Sequence, residues 1–312
     1  MKSALSQAVN WLGSFGDGRA AKDEAGAAQG APPPAAARRR LEDEAPPAPP
    51  PVADPPGVWT PARMRFNALL WGEGFTGPGG EEEALRLAKP LGLQSSHSLL
   101  HIGAGLGGTA RAVTTASGAW VSAYEQNPDL AAAGEAISKK AKLEKKAEVK
   151  PFDAAKPMFR PNYYHHALVQ EALWSVADKD AMVAALVRAV KQAGQVVITD
   201  LTVGDQPLEP DDPSLLAWSR LDRSPAYLIG AKEETVLLAR HGLDIRIAEE
   251  ISARHVSQAV AGWRAVLEII HEQKPSLQQA TTIVQEAELW LRRLALIRKG
   301  RLKLMRWHAI RR

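Results

Sequence analysis

Apolar, strand-like segments alternate with amphipathic, helix-like segments from Trp59 onward, and this alternation restricts the fold more than any other feature of the chain. Parallel strands need crossover connections that are usually helices, so the pattern is typical of a parallel α/β sheet. Strands are predicted at 98–102, 119–124, 147–152, 165–170, 195–201, 243–250 and 302–310. Helices are predicted near 108–116, 128–142, 179–192, 232–241, 252–272 and 276–298, with Gly194 as the left-handed stop of the third.

The first 57 residues differ in composition from the rest of the chain. Residues 17–57 are rich in Pro, Ala and charged side chains, and they contain too few large apolar residues to repay the entropy lost on ordering. We therefore predict a disordered linker there. Ahead of it, residues 1–16 place Leu5, Val9 and Leu12 at helical spacing. This short amphipathic peptide either docks, on a protein partner or on the folded body, or is a frayed terminus without a role.

Composition excludes several classes of protein. The chain has no cysteine, which rules out structural disulfides and thiolate metal sites. It contains no apolar run of about 18 residues, so no membrane span is predicted. Its first residues are too polar for the apolar core of a secretory signal. A cytoplasmic protein is expected.

The formal net charge of +4 is unevenly distributed. From Leu291 to the C-terminus there are nine basic side chains and no acidic one. Such a tail leaves nucleic acid or anionic lipid open as a partner, but solvated basic faces of a helix and a strand explain it more simply. No RNA-binding module is recognisable in the sequence. A small molecule is therefore favoured over nucleic acid as the partner.

A glycine-rich segment, GAGLGG, follows the first predicted strand and opens the first predicted helix. Gly103, Gly105 and Gly108 form a G-x-G-x-x-G pattern, in which absent side chains allow a tight turn and let a cofactor approach backbone N–H groups. The second strand ends in Glu125, 22 residues after Gly103, where a carboxylate can accept both hydroxyls of a ribose. These residues allow either NAD or S-adenosylmethionine. No Tyr-x-x-x-Lys or comparable hydride-transfer site follows, so an NAD-dependent oxidoreductase ranks last.

Three segments carry a resemblance to a known family: WGEGFTGPGGEEEALRLAKPLGL, SLLHIGAGLGGTARAV and HHALVQEALWSVADKDAMVAALVRAVKQAGQVVITD. From about Trp59 to Leu201 the chain resembles class I S-adenosylmethionine-dependent methyltransferases, particularly those acting on small amines such as phosphoethanolamine, sarcosine or dimethylglycine. The resemblance implies a Rossmann-like, seven-stranded, mostly parallel α/β sheet in a domain at 58–312, with helical cap elements at about 204–297. It also implies S-adenosylmethionine as cofactor and methyl transfer to N or O of a small-molecule acceptor, with no metal required.

The resemblance further implies roles for single residues. Four residues of the glycine turn line the methionine portion of the cofactor: Gly103, Ala104, Gly105 and Gly107. Glu125 holds the ribose, Gln126 lies beside the adenine, and Asp153 receives the adenine amino group. Gln170 and Glu171 follow the fourth strand. They lie beside the sulfonium and the acceptor, and they are the candidate catalytic residues.

Two positions depart from the family pattern. His101 stands where the family has Asp or Glu at the ammonium end of the cofactor, and a neutral imidazole there supplies a hydrogen bond but no negative charge. Ser175 stands where a His commonly follows the EAL element of amine-methylating relatives. The alternative to an active enzyme is therefore a catalytically weakened, methyltransferase-like protein that acts as a binding or regulatory module.

Other residues have a structural as well as a functional interpretation. The resemblance implies a lid over the cofactor that contains Gly79, Gly80, Trp71 and Phe75. The two aromatic residues of that lid fit core packing equally well. His165 and His166 have the chemistry of a catalytic base, but they start the fourth strand, away from the edge where the cofactor is expected. A structural role is favoured for both histidines.

Overall fold

The structure is a computed structural model that describes residues 58–206, 208–273 and 275–312. The predicted peptide at 1–16 and the predicted linker at 17–57 lie outside the described residues and stay predictions. Within the described part of the chain, seven strands form one sheet and nine α-helices surround it.

The sheet contains β1 (Ser98–Ile102), β2 (Trp120–Glu125), β3 (Ala147–Pro151), β4 (His166–Gln170), β5 (Gln195–Val203), β6 (Leu243–Glu250) and β7 (Leu302–Arg311). The strands lie in the order β3-β2-β1-β4-β5-β7-β6. β1 to β5 are parallel, and β7 runs antiparallel to its neighbours β5 and β6. The predicted seven-stranded, mostly parallel sheet is confirmed.

The helices are α1 (Pro61–Trp71), α2 (Gly80–Ala88), α3 (Gly108–Ser117), α4 (Pro128–Lys140), α5 (Lys179–Ala189), α6 (Pro213–Asp222), α7 (Ala231–Arg240), α8 (Ser252–Gln273) and α9 (Leu277–Arg298). Side chains cap several of their N-termini. The Asn127 side chain accepts the backbone N–H groups of Asp129 and Leu130 at the start of α4. Ser276 and Gln279 form a capping box at the start of α9.

The end of α5 differs from its prediction. The helix ends at Ala189 because Val190 already has an extended backbone (φ −80°, ψ 142°) and forms an isolated bridge with Tyr164. The left-handed residue in this connection is Ala193 (φ 60°), so the prediction of Gly194 as the helix stop is wrong. Glycine is needed at 194 for another reason, since a Cβ there collides with the carbonyl oxygen of His165.

Four helices, which we call the cap helices, cover the carboxyl ends of the central strands: α1, α6, α8 and α9. They pack around four buried tryptophans, Trp71, Trp218, Trp263 and Trp290. The same cluster reaches the sheet at Leu201 of β5 and Leu304 of β7. The predicted cap region at 204–297 therefore contributes α6, α8 and α9 to this layer. Its remaining elements, α7 and β6, belong to the sheet and its flanking layer, where α7 packs against β6 and α5.

Candidate functional site

Glycines with left-handed backbones build the turn between β1 and α3. Gly103 (φ 83°), Gly105 (φ 53°) and Gly107 (φ 76°) all lie in this region, which costs other L-residues about 1–2 kcal/mol. The N–H groups of Gly103 and Ala104 both donate to the Tyr124 carbonyl oxygen, at 3.0 and 3.1 Å. A Cβ on Gly103 collides with the carbonyl oxygen of Gln170. The turn is therefore fixed between the ends of β2 and β4.

Glu125 ends β2 and holds the same turn through its carboxyl group. Its Oε2 accepts the Gly105 N–H at 2.7 Å, and its Oε1 accepts the Asn127 N–H at 2.9 Å. Burial raises the pKa of Glu125, while the backbone N–H groups of Asn127 and Gly105 oppose the rise. The carboxyl group predicted to bind a ribose is thus fixed at the glycine turn.

A cavity of ≈ 300 Å³ lies at this edge of the sheet, between the glycine turn and the cap helices. Six of the residues predicted to bind cofactor line it: Gly103, Ala104, Gly105, Glu125, Gln126 and Gln170. Charged and polar residues from the end of β4 and from the cap line it as well: Glu171, Ser175, Asp222, Arg254, His255 and Arg293. Ligand sites of open α/β sheets lie in this position, outside the carboxyl ends of the strands.

Three of the predicted cofactor residues are not in the cavity wall. Gly107 shapes the turn from behind, since a Cβ there meets Val149 Cγ2 at 2.7 Å. Asp153 is exposed after β3, and its Oδ1 accepts the Ala155 N–H at 2.9 Å. The third is His101. The contact of Asp153 with adenine stays a prediction.

His101 reaches the cavity through Gln170. Its side chain is completely buried in β1, and its Nε2–H donates to Gln170 Oε1 at 2.8 Å. Burial lowers the pKa of His101 to about 4, with a smaller opposing effect of the Gln170 hydrogen bond, so the ring is neutral at pH 7. Because His101 occupies the amide oxygen of Gln170, the amide NH₂ group is left to donate to a ligand. A direct contact between His101 and the cofactor stays a prediction.

Glu171 is held in the cavity wall by residues of two cap helices. Its backbone is left-handed (φ 46°), a conformation that non-glycine residues keep only when the surroundings fix it. The carboxylate is ion-paired with Arg293 of α9, and its Oε1 lies 4.0 Å from Nδ1 of His255 of α8. Burial by itself raises the pKa of Glu171, but Arg293 and, less strongly, His255 lower it below its usual value. Glu171 is therefore a carboxylate at pH 7.

Comparison with known proteins gives one relative by sequence and several by fold. No family model matches the chain. Phosphoethanolamine N-methyltransferase 2 of Caenorhabditis elegans is 29% identical over 134 residues, which are 42% of this chain and 30% of that protein. The match therefore spans less than a third of the length of this relative.

Solved structures share the arrangement of strands and helices. Phosphoethanolamine N-methyltransferase 2 of Haemonchus contortus, in complex with S-adenosyl-L-methionine, matches with a TM-score of 0.67 at 22% identity, over 80% of this chain and 56% of that chain. The chain has the class I methyltransferase fold. A Galdieria sulphuraria protein provisionally identified as a sarcosine dimethylglycine methyltransferase matches with a TM-score of 0.64 at 20% identity, over 80% and 97% of the two chains. Both confirm the fold that the resemblance implies.

The acceptor atom differs among proteins that share this methyltransferase fold. Geranyl diphosphate C-methyltransferase of Streptomyces coelicolor matches with a TM-score of 0.57 at 14% identity, over 74% of this chain and 78% of that chain. Its name specifies transfer to carbon, whereas the two proteins above are named for N-methylated compounds or N-methylation. The fold therefore does not by itself select the acceptor.

Sequence reasoning missed the cavity residues supplied by the cap of the methyltransferase fold. Asp222 comes from α6, Arg254 and His255 from α8, and Arg293 from α9. Each is a single charged or polar residue on an amphipathic helix, and no motif or spacing marks it in the sequence. Tertiary packing alone brings these side chains to the glycine turn.

The predicted lid residues are divided between cavity and core. Phe75 and Gly80 line the cavity. Trp71 is buried among the cap helices, with its ring centroid 4.8 Å from that of Trp290. Gly79 precedes α2 as its N-cap residue and has a left-handed backbone (φ 88°). The core interpretation therefore holds for Trp71, whereas Phe75 is placed to contact a ligand.

Polar contacts tie α2 to α8 above the cavity. Glu83 of α2 accepts hydrogen bonds from Arg254 Nη2 at 3.0 Å and from Gln258 Nε2 at 2.8 Å. Glu83, Arg254 and Gln258 all line the cavity. These contacts hold α2 and α8 together along the wall of the cavity.

The two adjacent histidines lie at the opposite edge of the sheet. His165 Nδ1 accepts the Ser98 N–H at 3.0 Å, and His166 Nδ1 accepts the Gln195 N–H at 3.1 Å. Both bonds join the starts of neighbouring strands, so these rings have the structural role that their position predicts. In the part of the chain that the structure describes, no group of three His, Cys, Asp or Glu side chains is arranged to hold a metal ion. No helix among the same residues has the length and apolar character needed to cross a membrane.

Proposed function

We propose that this chain is an S-adenosylmethionine-dependent methyltransferase that methylates N or O of a small-molecule acceptor. One observation carries the proposal: the glycine turn, Glu125, and Gln170 and Glu171 at the end of β4 all line the same cavity. The sequence relative and the fold neighbours, which are methyltransferases, support it.

The residues present suit an adenosine-containing, zwitterionic ligand. Gly103 and Gly105 carry no side chain where a ligand must approach the turn, and a Cβ on Gly105 meets Thr76 Oγ1 at 2.7 Å. Glu125 offers a carboxylate to the ribose hydroxyls, and Gln126 and Leu130 line the next part of the wall, where adenine is expected. The Gln170 amide NH₂, oriented by His101, would donate to the carboxylate of the methionine portion.

The bound cofactor would supply a methyl group on a sulfonium, which is already an excellent leaving group. The protein then has to align the acceptor, exclude water and receive a proton, because correct alignment alone removes much of the barrier to a bimolecular reaction. Glu171 is a fixed carboxylate at the end of β4, where it can orient a hydroxyl or an amine. Residues of α6, α8 and α9 line this part of the cavity.

A methyl-transfer assay tests the proposal. Radiolabelled S-adenosylmethionine is mixed with the full chain and, separately, with ethanolamine, phosphoethanolamine, sarcosine, dimethylglycine or catechol, with geranyl diphosphate as a carbon acceptor. We expect transfer to at least one N or O acceptor, and we expect Glu171→Gln to lower kcat by at least about tenfold because Arg293 is then left without its carboxylate.

Glu288→Gln is the matched control for this assay. Glu288 lies on the exposed side of α9, where it is ion-paired with Arg292, and its removal should leave kcat unchanged. Binding of the cofactor without transfer to any acceptor would favour the alternative of a binding or regulatory module. Transfer to geranyl diphosphate alone would contradict the assignment of N or O.

A further inference from the structure

His255 is a buried imidazole in the cavity that no sequence motif marks. It lies in the first turn of α8, is 4% exposed and lines the cavity. Its ring lies beside that of Trp290, with centroids 5.9 Å apart and planes inclined by 37°. The position of the ring is therefore set by packing within the cap.

The two nitrogens of this ring have different surroundings. Nδ1 lies 4.0 Å from Oε1 of Glu171. Nε2 is buried and has no hydrogen-bond partner among the described residues. A buried polar atom without a partner is costly unless a ligand or water satisfies it. The arrangement of a carboxylate on one side of an imidazole and an unpartnered nitrogen on the other is typical of a proton-accepting dyad.

The surroundings of His255 keep its ring unprotonated at neutral pH. Burial lowers the pKa of His255 to about 4, Arg293 adds to this effect, and Glu171 opposes it. These are the charged groups that face the ring from α9 and from the end of β4. The ring is therefore neutral at pH 7 and has a free lone pair.

We propose, building on the methyltransferase function above, that His255 is the catalytic residue that takes the acceptor proton and that Glu171 stabilises the resulting imidazolium. In this step the acceptor's lone pair forms a bond to the methyl carbon. The carbon–sulfur bond breaks, and its electron pair stays on sulfur, which becomes a neutral thioether. The proton of the acceptor N–H or O–H moves to His255 and later passes to water.

The electrostatics of the transfer agree with this assignment. Before transfer the positive charge of the sulfonium disfavours a second positive charge nearby, so the imidazole stays neutral. After transfer the sulfonium charge has disappeared, and one positive charge can be placed on His255 next to Glu171 without a net increase in the cavity. The imidazolium is thus stabilised only as the reaction proceeds, which is the condition for lowering the barrier.

Kinetics of His255→Asn, measured with an acceptor identified in the assay above, test the role. Asn keeps a hydrogen-bonding side chain but cannot take a proton, so kcat should fall by about 100-fold or more, while the affinity for S-adenosylmethionine stays the same. In His255→Ala, added imidazole should restore part of the lost kcat. His271→Asn changes an exposed histidine of the same helix and should leave kcat unchanged.

Nuclear magnetic resonance provides a readout that does not depend on turnover. With S-adenosylhomocysteine in place of the methyl donor, addition of the acceptor should move the ring ¹⁵N resonances of His255 and leave those of His271 in place. If His255→Asn does not fold, His255→Gln and its thermal unfolding curve take its place.

The outcomes separate this role from the function on which it rests. Transfer by the unmodified chain with an unchanged kcat in His255→Asn overturns the role of His255 and leaves the methyltransferase function intact. If the ¹⁵N resonances of His255 do not move when an acceptor is added, the proposed role of His255 is also overturned. Absence of transfer by the unmodified chain, although it binds the cofactor, overturns both.

Discussion

Gly103→Ala should weaken binding of S-adenosylmethionine to the folded protein by at least about 100-fold, or about 2.7 kcal/mol. The added Cβ collides with the backbone carbonyl oxygen of Gln170, and backbone at the end of β4 cannot turn aside as a flexible side chain can. The left-handed backbone of Gly103 (φ 83°) adds about 1–2 kcal/mol of strain for any other residue. Displacement of the turn also moves Gly105 away from the Glu125 carboxylate.

Calorimetric titration measures the affinity of the variant for S-adenosylmethionine, and thermal unfolding measures its Tm. We expect a loss of at least about 100-fold in affinity, equivalent to about 2.7 kcal/mol, together with a lower Tm. Gly230→Ala is the matched control, because its φ is −73° and no atom lies within 4 Å of the added Cβ. Affinity of Gly103→Ala close to that of the unmodified chain would contradict the placement of the cofactor on this turn.

Lys179→Met should lower the free energy of unfolding far more than replacement of an exposed lysine does. Lys179 is 7% exposed, and its Nζ donates to the carbonyl oxygens of Leu173 and Val176. Asp200 and Glu234 are completely buried near it, and neither oxygen of Glu234 has a hydrogen-bond partner among the described residues. Removing the ammonium leaves two buried carboxyl groups without a cation, a change that costs about 3–5 kcal/mol.

The loss caused by Lys179→Met should grow as the pH rises. Burial raises the pKa of Asp200 to about 7 and that of Glu234 well above its usual value, and Lys179 opposes both shifts. Without the lysine the folded state holds these protons more tightly still, while the unfolded state releases them near their ordinary pKa values. Stability then falls with increasing pH, because the unfolded state binds fewer protons.

Urea unfolding of Lys179→Met at pH 5 and pH 8 measures this dependence, and we expect the larger loss at pH 8. Lys232→Met replaces an exposed lysine on α7 and serves as the control. The same loop that Lys179 holds carries Glu171 and Ser175 into the cavity, so activity should fall with stability. A loss of stability below about 1 kcal/mol, or one independent of pH, would show that Lys179 does not stabilise the charges of Asp200 and Glu234.

Local sequence patterns were sufficient to predict the sheet and the glycine turn. The alternation of buried strands and amphipathic helices predicts parallel pairing, which holds for β1 to β5. Gly103, Gly105 and Gly107 are needed for left-handed backbones, and Gly103 is also needed for close packing on Gln170. Gly194 shows the limit of this reasoning. A glycine after a helix predicts a helix stop, but Gly194 is required by the nearby His165 carbonyl, a contact between segments far apart in the chain.

The acceptor side of the cavity could not be predicted in the same way. The resemblance to the methyltransferase family predicts the role of Glu171, but its partners His255 and Arg293 lie on cap helices more than 80 residues later. Their positions depend on how the buried tryptophans pack the cap. The role of His101 also depends on a contact between strands, since its hydrogen bond to Gln170 joins β1 to β4.

Calorimetric titration of the full chain with S-adenosylhomocysteine and S-adenosylmethionine tests the central claim most directly. The account predicts one site of micromolar affinity that Glu125→Gln weakens by about tenfold, or 1.4 kcal/mol, because the amide is a poorer acceptor for the Gly105 and Asn127 N–H groups and for ribose hydroxyls. Glu288→Gln, on the exposed side of α9 where Glu288 pairs with Arg292, should bind as the unmodified chain does. No detectable binding of either compound at millimolar concentration would contradict the assignment of this cavity.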